Sequence, residues 1–275
     1  MLQPFSRLVA GFIAVALVAA SAASACRRAS RPAAAAFTRM PDGKPNLNGV
    51  WAASNTANWN IQTHQARPGS VAALGAAFSV PGGLGVVEGG QLPYKPEALA
   101  QRDANGAKWM ANDPEVKCYL PGVPRATYMP YPFQIVQSTA PNDILLTYEF
   151  ASASRIVHMN TAQESPTDNW MGWSIGRWEG DTLVVDVGSF VDQTWFDRAG
   201  NYHSDALHVV ERYTPQGPDV IRYEATIEDP KVFSRPWKMS MPLYRRLEKD
   251  AQLMEYKCVE FAEELMYGHL SKPKP

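Results

Sequence analysis

Eight side chains of the types used in acid–base catalysis are concentrated between positions 149 and 211. Most of them fall on segments with the alternating pattern of a β-strand. A charged side chain on a half-buried strand is costly unless it has a partner or a function. This set therefore supplies the candidate catalytic residues: Glu149, Arg155, His158, Asp197, His203, Asp205, His208 and Glu211.

Arg155 is the candidate for anion binding. It shares its strand parity with Val157 and Met159, which predicts that it points into the protein interior. The planar guanidinium fork suits a carboxylate, either of a bound substrate or of the protein itself. The alternative is therefore a structural Arg–Glu pair across adjacent strands.

His203 and Asp205 share strand parity and form a candidate acid–base pair, because histidine titrates near neutral pH. His158, Glu149 and Asp197 are further candidates for moving a proton. A surface turn following residues 195–201 is the structural alternative for the His203 segment.

The sequence predicts neither a metal nor a cofactor. His208 and Glu211 are three residues apart and would face opposite sides of a strand, so they make a poor metal pair. The chain has no His-Glu-x-x-His motif, no cysteine cluster, no phosphate-binding loop and no Gly-x-Ser-x-Gly motif.

The segments that must position these residues read as short strands joined by local turns. We predict an all-β fold, an antiparallel calycin/lipocalin-like barrel over residues 46–262. An irregular, partly helical insertion occupies 52–115, with its helix at 96–111, and 263–275 form a C-terminal tail. The predicted strands are 133–139, 144–150, 154–160, 172–178, 182–187, 207–213, 220–228, 237–243 and 253–260.

The N-terminus reads as a signal peptide over residues 1–25, which predicts an exported protein of the periplasm or cell envelope. Its apolar stretch, residues 8–20, is shorter than the roughly 20 residues of a membrane span. Small residues before Cys26 fit either ordinary cleavage or lipidation of Cys26, which would be the only membrane attachment. Residues 26–45 are a linker rich in Ala, Arg and Pro.

Cys118 and Cys258 are predicted to form a disulfide, since two remaining cysteines in an oxidising compartment most simply pair. A loop of that length stabilises a fold by roughly 4–5 kcal/mol in the chain-entropy description. A catalytic thiol is the alternative, and no motif supports it. The net charge of −1 gives no basic surface for a nucleic-acid partner.

Two resemblances bear on fold and location. Gly49-Val50-Trp51 resembles the Gly-x-Trp of lipocalin-like barrels, in which the tryptophan plugs one barrel end. The chain as a whole resembles a family of uncharacterised exported bacterial proteins, which implies export and a single domain. The motifs that carry this second resemblance are DGKP (42–45), CYLPGVPR (118–125), YPFQIVQ (131–137), GRWEGDTLVVD (176–186), HSDALHVVER (203–212) and IEDP (227–230).

A fold-level analogy suggests a reaction. Phenolic acid decarboxylases are small lipocalin-like barrels that use Tyr, Arg and Glu without a cofactor, and this chain is similar in residue types. Tyr128, Tyr131, Arg155 and Glu149 would be the corresponding residues. Packing in the core is the alternative for each tyrosine.

Two tryptophans complete the candidate substrate-binding set. Trp173 and Trp195, together with Tyr128 and Tyr131, would line a cavity for an aromatic ligand, or else fill the core.

Three functions follow as hypotheses. The first is a cofactor-independent lyase acting on an aromatic or phenolic substrate, with Arg155 holding the substrate anion. The second is a non-catalytic carrier of apolar or aromatic molecules, and the third is a lipid-anchored interaction module. Convergent polar groups at an open cavity favour the enzyme, and an apolar cavity favours the carrier. A filled barrel with an exposed apolar patch favours the interaction module.

Overall fold

The computed structural model describes residues 36–139 and 142–271. The predicted signal peptide, Cys26 and the linker up to position 35 lie outside these ranges. Two residues of the first predicted hairpin turn, and the last four residues of the predicted tail, also lie outside them.

Nine strands form a closed barrel in which each strand pairs with its neighbours in the chain and the last pairs with the first. The predicted fold class, an all-β barrel with a partly helical insertion, is confirmed. The strands are β1 Gly49–Ala53, β2 Phe133–Gln137, β3 Ile144–Tyr148, β4 Ser154–Met159, β5 Trp173–Glu179, β6 Thr182–Gly188, β7 His208–Pro215, β8 Val220–Glu228 and β9 Trp237–Arg245.

The two-residue hydrophobic period explains the inward and outward faces of the strands. In β8, Ile221, Tyr223, Ala225 and Ile227 are buried, and the residues between them lie nearer the surface. A tight turn joins β5 to β6, and in it Gly180 has a φ of +61°, which glycine adopts without strain.

One pairing departs from the predicted antiparallel arrangement. β4 and β5 are parallel and share only three residue pairs, which begin at Val157↔Ser174 and end at Met159↔Gly176. A parallel pair needs a crossover of about a dozen residues or more, and the connection over residues 160–172 supplies it. Gly176 keeps the strands close, since a Cβ there would lie 2.6 Å from the Met159 sulfur.

The insertion between β1 and β2 contains a 3₁₀ segment, Ala72–Phe78, and three short helices: α1 Pro96–Ala107, α2 Trp109–Asn112 and α3 Arg125–Tyr128. The predicted 96–111 helix is confirmed, with a break at Lys108. Gly106 sits inside α1 because a Cβ at this position would lie 2.4 Å from the Ala199 carbonyl oxygen.

The predicted strand over 253–260 is wrong. β1 closes the barrel by pairing with both β2 and β9, so the later segment has no sheet edge to join. It forms no strand, and a helix, α4 (Ala262–Ser271), begins where the tail was predicted. The predicted Cys118–Cys258 disulfide is present and ties this segment to the insertion. Across the described residues, no helix combines the length and apolar character required to cross a bilayer.

Trp51 belongs to the barrel core. It is buried, and its Nε1–H donates to the Leu47 carbonyl oxygen at 2.9 Å. The Arg245 guanidinium lies over the indole, 4.3 Å from the ring centroid, and donates to the Asn48 carbonyl oxygen. Gly49 makes room for this arginine, because a Cβ there would lie 2.1 Å from Arg245 Nη1, and its φ is +143°.

Replacing Gly49 with alanine should destabilise the protein by about 1–3 kcal/mol, since it strains the backbone and displaces Arg245 from Trp51. Urea denaturation of the oxidised protein measures the change. Gly188→Ala is the matched control, because a Cβ at Gly188 meets nothing within 4 Å. Equal stability of the two variants would contradict the role given to Gly49.

Candidate functional site

A buried ion pair lies inside the barrel between Arg155 on β4 and Glu211 on β7. Nη1 donates to one carboxylate oxygen at 2.7 Å, and Nη2 donates to the other at 3.0 Å. The two side chains are 2% and 0% exposed. Arg155 therefore points inward, as its strand parity predicts. β5 and β6 separate the two partners, so the pair spans the interior and does not link adjacent strands.

Three tyrosines and a serine complete this network. Arg155 donates further to the Tyr148 hydroxyl, to Ser174 Oγ and to the Tyr213 hydroxyl at 3.0–3.1 Å. The hydroxyls of Tyr213 and Tyr223 donate to Glu211 Oε1 at 2.9 and 2.8 Å. With five hydrogen bonds, Arg155 matches the five N–H donors of a guanidinium. No donor is left for a substrate anion.

Burial and neighbouring charge set the protonation states in this network. Burial acts to lower the pKa of Arg155, but the Glu211 carboxylate outweighs it and raises the pKa well above its usual value. Burial, reinforced by Glu211, raises the pKa values of Tyr213 and Tyr223, so both phenols stay protonated and donate. The network is a stable charged pair with neutral donors around it.

A second buried charged cluster, which the sequence analysis missed, joins the insertion to the connection between β6 and β7. Arg125 on α3 donates to both Asp113 oxygens at 2.7 and 2.9 Å and to Glu115 at 2.8 Å. Arg198 donates to both Glu115 oxygens at 2.8 and 2.9 Å. Burial acts to raise the pKa of Glu115, but Arg198 and Arg125 together hold it below its usual range. Asp113, Glu115 and Arg198 lie outside helices and strands, and α3 has only four residues, so no periodic pattern marked these groups.

Three of the predicted site residues, Tyr128, Asp197 and His203, are buried outside the Arg155–Glu211 network. The Tyr128 hydroxyl donates to the Phe196 carbonyl oxygen at 2.7 Å. Asp197 accepts from the Ile61 backbone N–H at 2.8 Å and from the Asn201 side chain at 2.6 Å. Burial raises the pKa of Asp197 to about 6, against the hydrogen bonds that lower it.

His203 is held by the protein on both ring nitrogens. Nε2 lies 2.5 Å from Thr194 Oγ1, and Nδ1 lies 2.9 Å from the Ser204 carbonyl oxygen. Burial lowers the pKa of His203. Asp205, its predicted partner, is exposed and pairs instead with Lys231 at 2.5 Å. Asp229 accepts hydrogen bonds from the Ser204 backbone N–H and from the Ser204 hydroxyl. This arrangement turns the next residue, Asp205, outward.

The other predicted residues outside the barrel interior serve as local contacts. Glu149 accepts from the Met254 backbone N–H at 2.9 Å. The Tyr131 ring lies 5.6 Å from that of Phe150 and 5.1 Å from that of Tyr256. Trp195 forms a backbone bridge with Tyr202. Each of these residues therefore has a structural contact within the protein.

A cleft on the barrel wall brings together Arg155, His158 and Trp173. It has a volume of about 410 Å³ and opens where the short β4–β5 ladder ends. We call it the β4–β5 cleft. Its lining consists of Leu120, Ser154, Arg155, Ile156, His158, Asp168, Asn169, Trp170, Met171, Gly172, Trp173 and Ser174.

The parallel register produces this cleft. The ladder begins at Val157↔Ser174, so the first residues of β4 extend past the start of β5. The connection over residues 168–172 passes beside them and supplies the opposite wall. Gly172 allows this tight entry into β5, with a φ of +68° and the Phe190 ring 2.6 Å from where a Cβ would lie.

The aromatic side chains of the cleft are held in place by the protein. The His158 ring stacks on Trp173 with a centroid separation of 4.3 Å, and its Nδ1 lies 3.0 Å from Asp143 Oδ2. Trp173 Nε1–H donates to the Gln163 carbonyl oxygen at 2.9 Å. Trp170 packs against Tyr119, with ring centroids 4.9 Å apart. Each of these rings therefore has a partner within the protein.

Two other cavities have a different character. One, about 270 Å³, is lined by Glu149 and by the largely exposed polar segment after β9. Another, about 340 Å³, is lined by residues 54–57 and by the glycine-rich residues 82–86. Neither lining includes an aromatic ring. Within residues 36–139 and 142–271, no group of three or more His, Cys, Asp or Glu residues is arranged to hold a metal ion.

Comparisons with protein-family models, with curated proteins and with solved structures found no match to this chain. The fold and the cleft define a closed β-barrel with an aromatic cleft in its wall. The resemblance of the sequence motifs to an exported bacterial family stays a prediction.

Replacing Glu211 with glutamine should destabilise the protein by about 3–5 kcal/mol, because it leaves the Arg155 charge buried without a counter-ion. Arg155→Met should cost a similar amount. The free energy of unfolding lost in the double variant should be smaller than the sum of the two single losses, by about 2 kcal/mol or more. Urea denaturation of all four proteins measures this coupling, and strictly additive losses would contradict a structural pair.

The raised pKa of Asp197 should make the protein less stable as the pH rises. Its folded pKa of about 6 lies above the unfolded value near 3.8, so its contribution is present below pH 3.8 and is lost as pH rises through 6. The stability of the wild type relative to Asp197→Asn should fall by about 2 kcal/mol between pH 4 and pH 7. Denaturation at each pH measures the difference, and a rise would show that Asp197 is charged throughout.

Proposed function

We propose that the protein binds a small aromatic or apolar molecule in the β4–β5 cleft without transforming it. The observation that carries this proposal is the cleft itself, about 410 Å³ in volume, with indole and imidazole rings held along its wall. Ligand pockets are typically apolar and aromatic, with a few polar groups that set orientation. Asp168 and Asn169 are such groups here.

The side chains around the cleft favour a planar, weakly polar ligand. Trp170 and Trp173 present ring faces and edges on which an aromatic molecule can stack in an offset or edge-to-face arrangement. Ile156, Leu120 and Met171 add apolar contacts. Arg155 also borders the cleft, but its charge is neutralised by Glu211, so the site carries no free cation to select an anion.

Binding is favoured over lyase chemistry because the acid–base candidates have other partners. Every N–H of Arg155 is used inside the protein, and His203 has both ring nitrogens satisfied. Asp205 pairs with Lys231 and Glu149 with a backbone N–H. The lyase hypothesis stays a prediction, which the experiment below also tests.

The proposed place of action is the periplasm or cell envelope. The signal peptide predicted from residues 1–25 supports export, and the Cys118–Cys258 disulfide is compatible with an oxidising compartment. A carrier in that compartment would bind its ligand reversibly, which fits an open cleft on the barrel surface. Lipidation at Cys26 would hold the protein on a membrane without a spanning helix.

Titration of the full-length, oxidised protein with 4-butylphenol should give saturable binding by isothermal calorimetry. Trp173→Ala should weaken the affinity about 5- to 30-fold, since a buried aromatic contact contributes about 1–2 kcal/mol. Trp178→Ala, on the same strand but absent from the cleft lining, is the matched control and should bind as the wild type does.

Mass spectrometry of the protein incubated with 4-hydroxycinnamic acid separates binding from catalysis. The proposal expects the acid to return unchanged. If the wild type releases carbon dioxide from the acid and Arg155→Met does not, the proposal is overturned in favour of the lyase. Equal affinity of Trp173→Ala and Trp178→Ala for 4-butylphenol would remove the cleft as the binding site.

A further inference from the structure

A row of apolar side chains crosses the outer face of the barrel and ends at the β4–β5 cleft. The strand registers place Val136 opposite Leu145 and Leu145 opposite Ile156. Extending the parallel β4–β5 register by one residue places Ile156 beside Trp173. Val136 and Ile156 are 43% and 48% exposed, so the row is open to solvent.

The rows on either side of these residues offer no unpaired charge. On one side, Gln134, Thr147 and Ser154 form an uncharged row in the same registers. On the other side, Asp143 and His158 pair with each other at 3.0 Å. An apolar group lying on the central row would therefore desolvate no unpaired carboxylate or ammonium group in these flanking rows.

Continuity with the cleft distinguishes this row from scattered surface hydrophobics, which are normal in soluble proteins. Ile156 belongs to both, since it lines the cleft and stands in the row. Three strand spacings separate Trp173 from Val136, about 14 Å. This distance matches an extended alkyl chain of about eleven carbons.

We propose that the ligand of the β4–β5 cleft is an alkyl-substituted aromatic molecule. Its ring lies in the cleft and its uncharged chain extends over Ile156, Leu145 and Val136. This inference rests on the proposed binding function and adds the class of ligand. The matching features are the aromatic wall of the cleft and the apolar row that begins at its edge.

A series of 4-alkylphenols from methyl to octyl tests the proposal, with affinities measured by calorimetry on the full-length, oxidised protein. Each added methylene should strengthen binding about twofold, roughly half the gain of complete burial. Ile156→Ser and Leu145→Thr should both flatten this dependence on chain length. Leu145 is absent from the cleft lining, so Leu145→Thr should change 4-methylphenol binding little. Tyr244→Ser, an exposed position on β9, is the control and should keep the wild-type dependence.

The outcomes separate this inference from the proposed function. If Trp173→Ala weakens all phenols but affinity does not grow with chain length, the cleft binds and the row does not, which overturns the inference alone. A dependence on chain length that Ile156→Ser leaves intact also overturns it. Absence of binding throughout the series would overturn both proposals. If Ile156→Ser instead converts a dimer to a monomer in sedimentation, the row serves self-association and the inference fails.

Discussion

The buried Arg155–Glu211 pair sets conditions that the rest of the barrel interior has to meet. Removing two charges from water costs several kcal/mol each unless every donor and acceptor is satisfied. Here the partners come from four strands: Tyr148 from β3, Ser174 from β5, Tyr213 from β7 and Tyr223 from β8. A one-residue slip of any of these strands would turn its contribution outward. The pair therefore specifies the register of much of the sheet.

The same constraint explains why the cleft is in the wall of the barrel. The interior near Arg155 is filled by its own partners, and the cleft lies where the sheet is interrupted. That interruption is the parallel β4–β5 pairing, which contributes three residue pairs, whereas β7 and β8 share eight. The connection that makes the parallel pairing possible contains Trp170 and leads directly into Trp173, the first residue of β5.

Much of the fold could be predicted from the sequence, because strand alternation and turn residues are local signals. The inward direction of Arg155 followed from parity, and Glu211 carried the same signal beside buried Val209 and Tyr213. Their pairing did not follow, since it joins non-adjacent strands. In the Arg125 cluster, Arg125 lies on a helix of four residues and its acidic partners lie outside helices and strands, so no hydrophobic period indicates them. The strand expected at 253–260 was wrong because β1 had already completed the sheet.

The closure of the barrel by β1 and β9 also bears on how the chain reaches its native state. These strands come from opposite ends of the folded region, with Trp51 paired to Arg245 and Ala53 to Leu243. Contacts this distant in sequence are formed against a large loop-closure entropy, which slows folding. During synthesis, the ring of strands stays incomplete until residue 245 has emerged, and an unpaired edge is exposed until then.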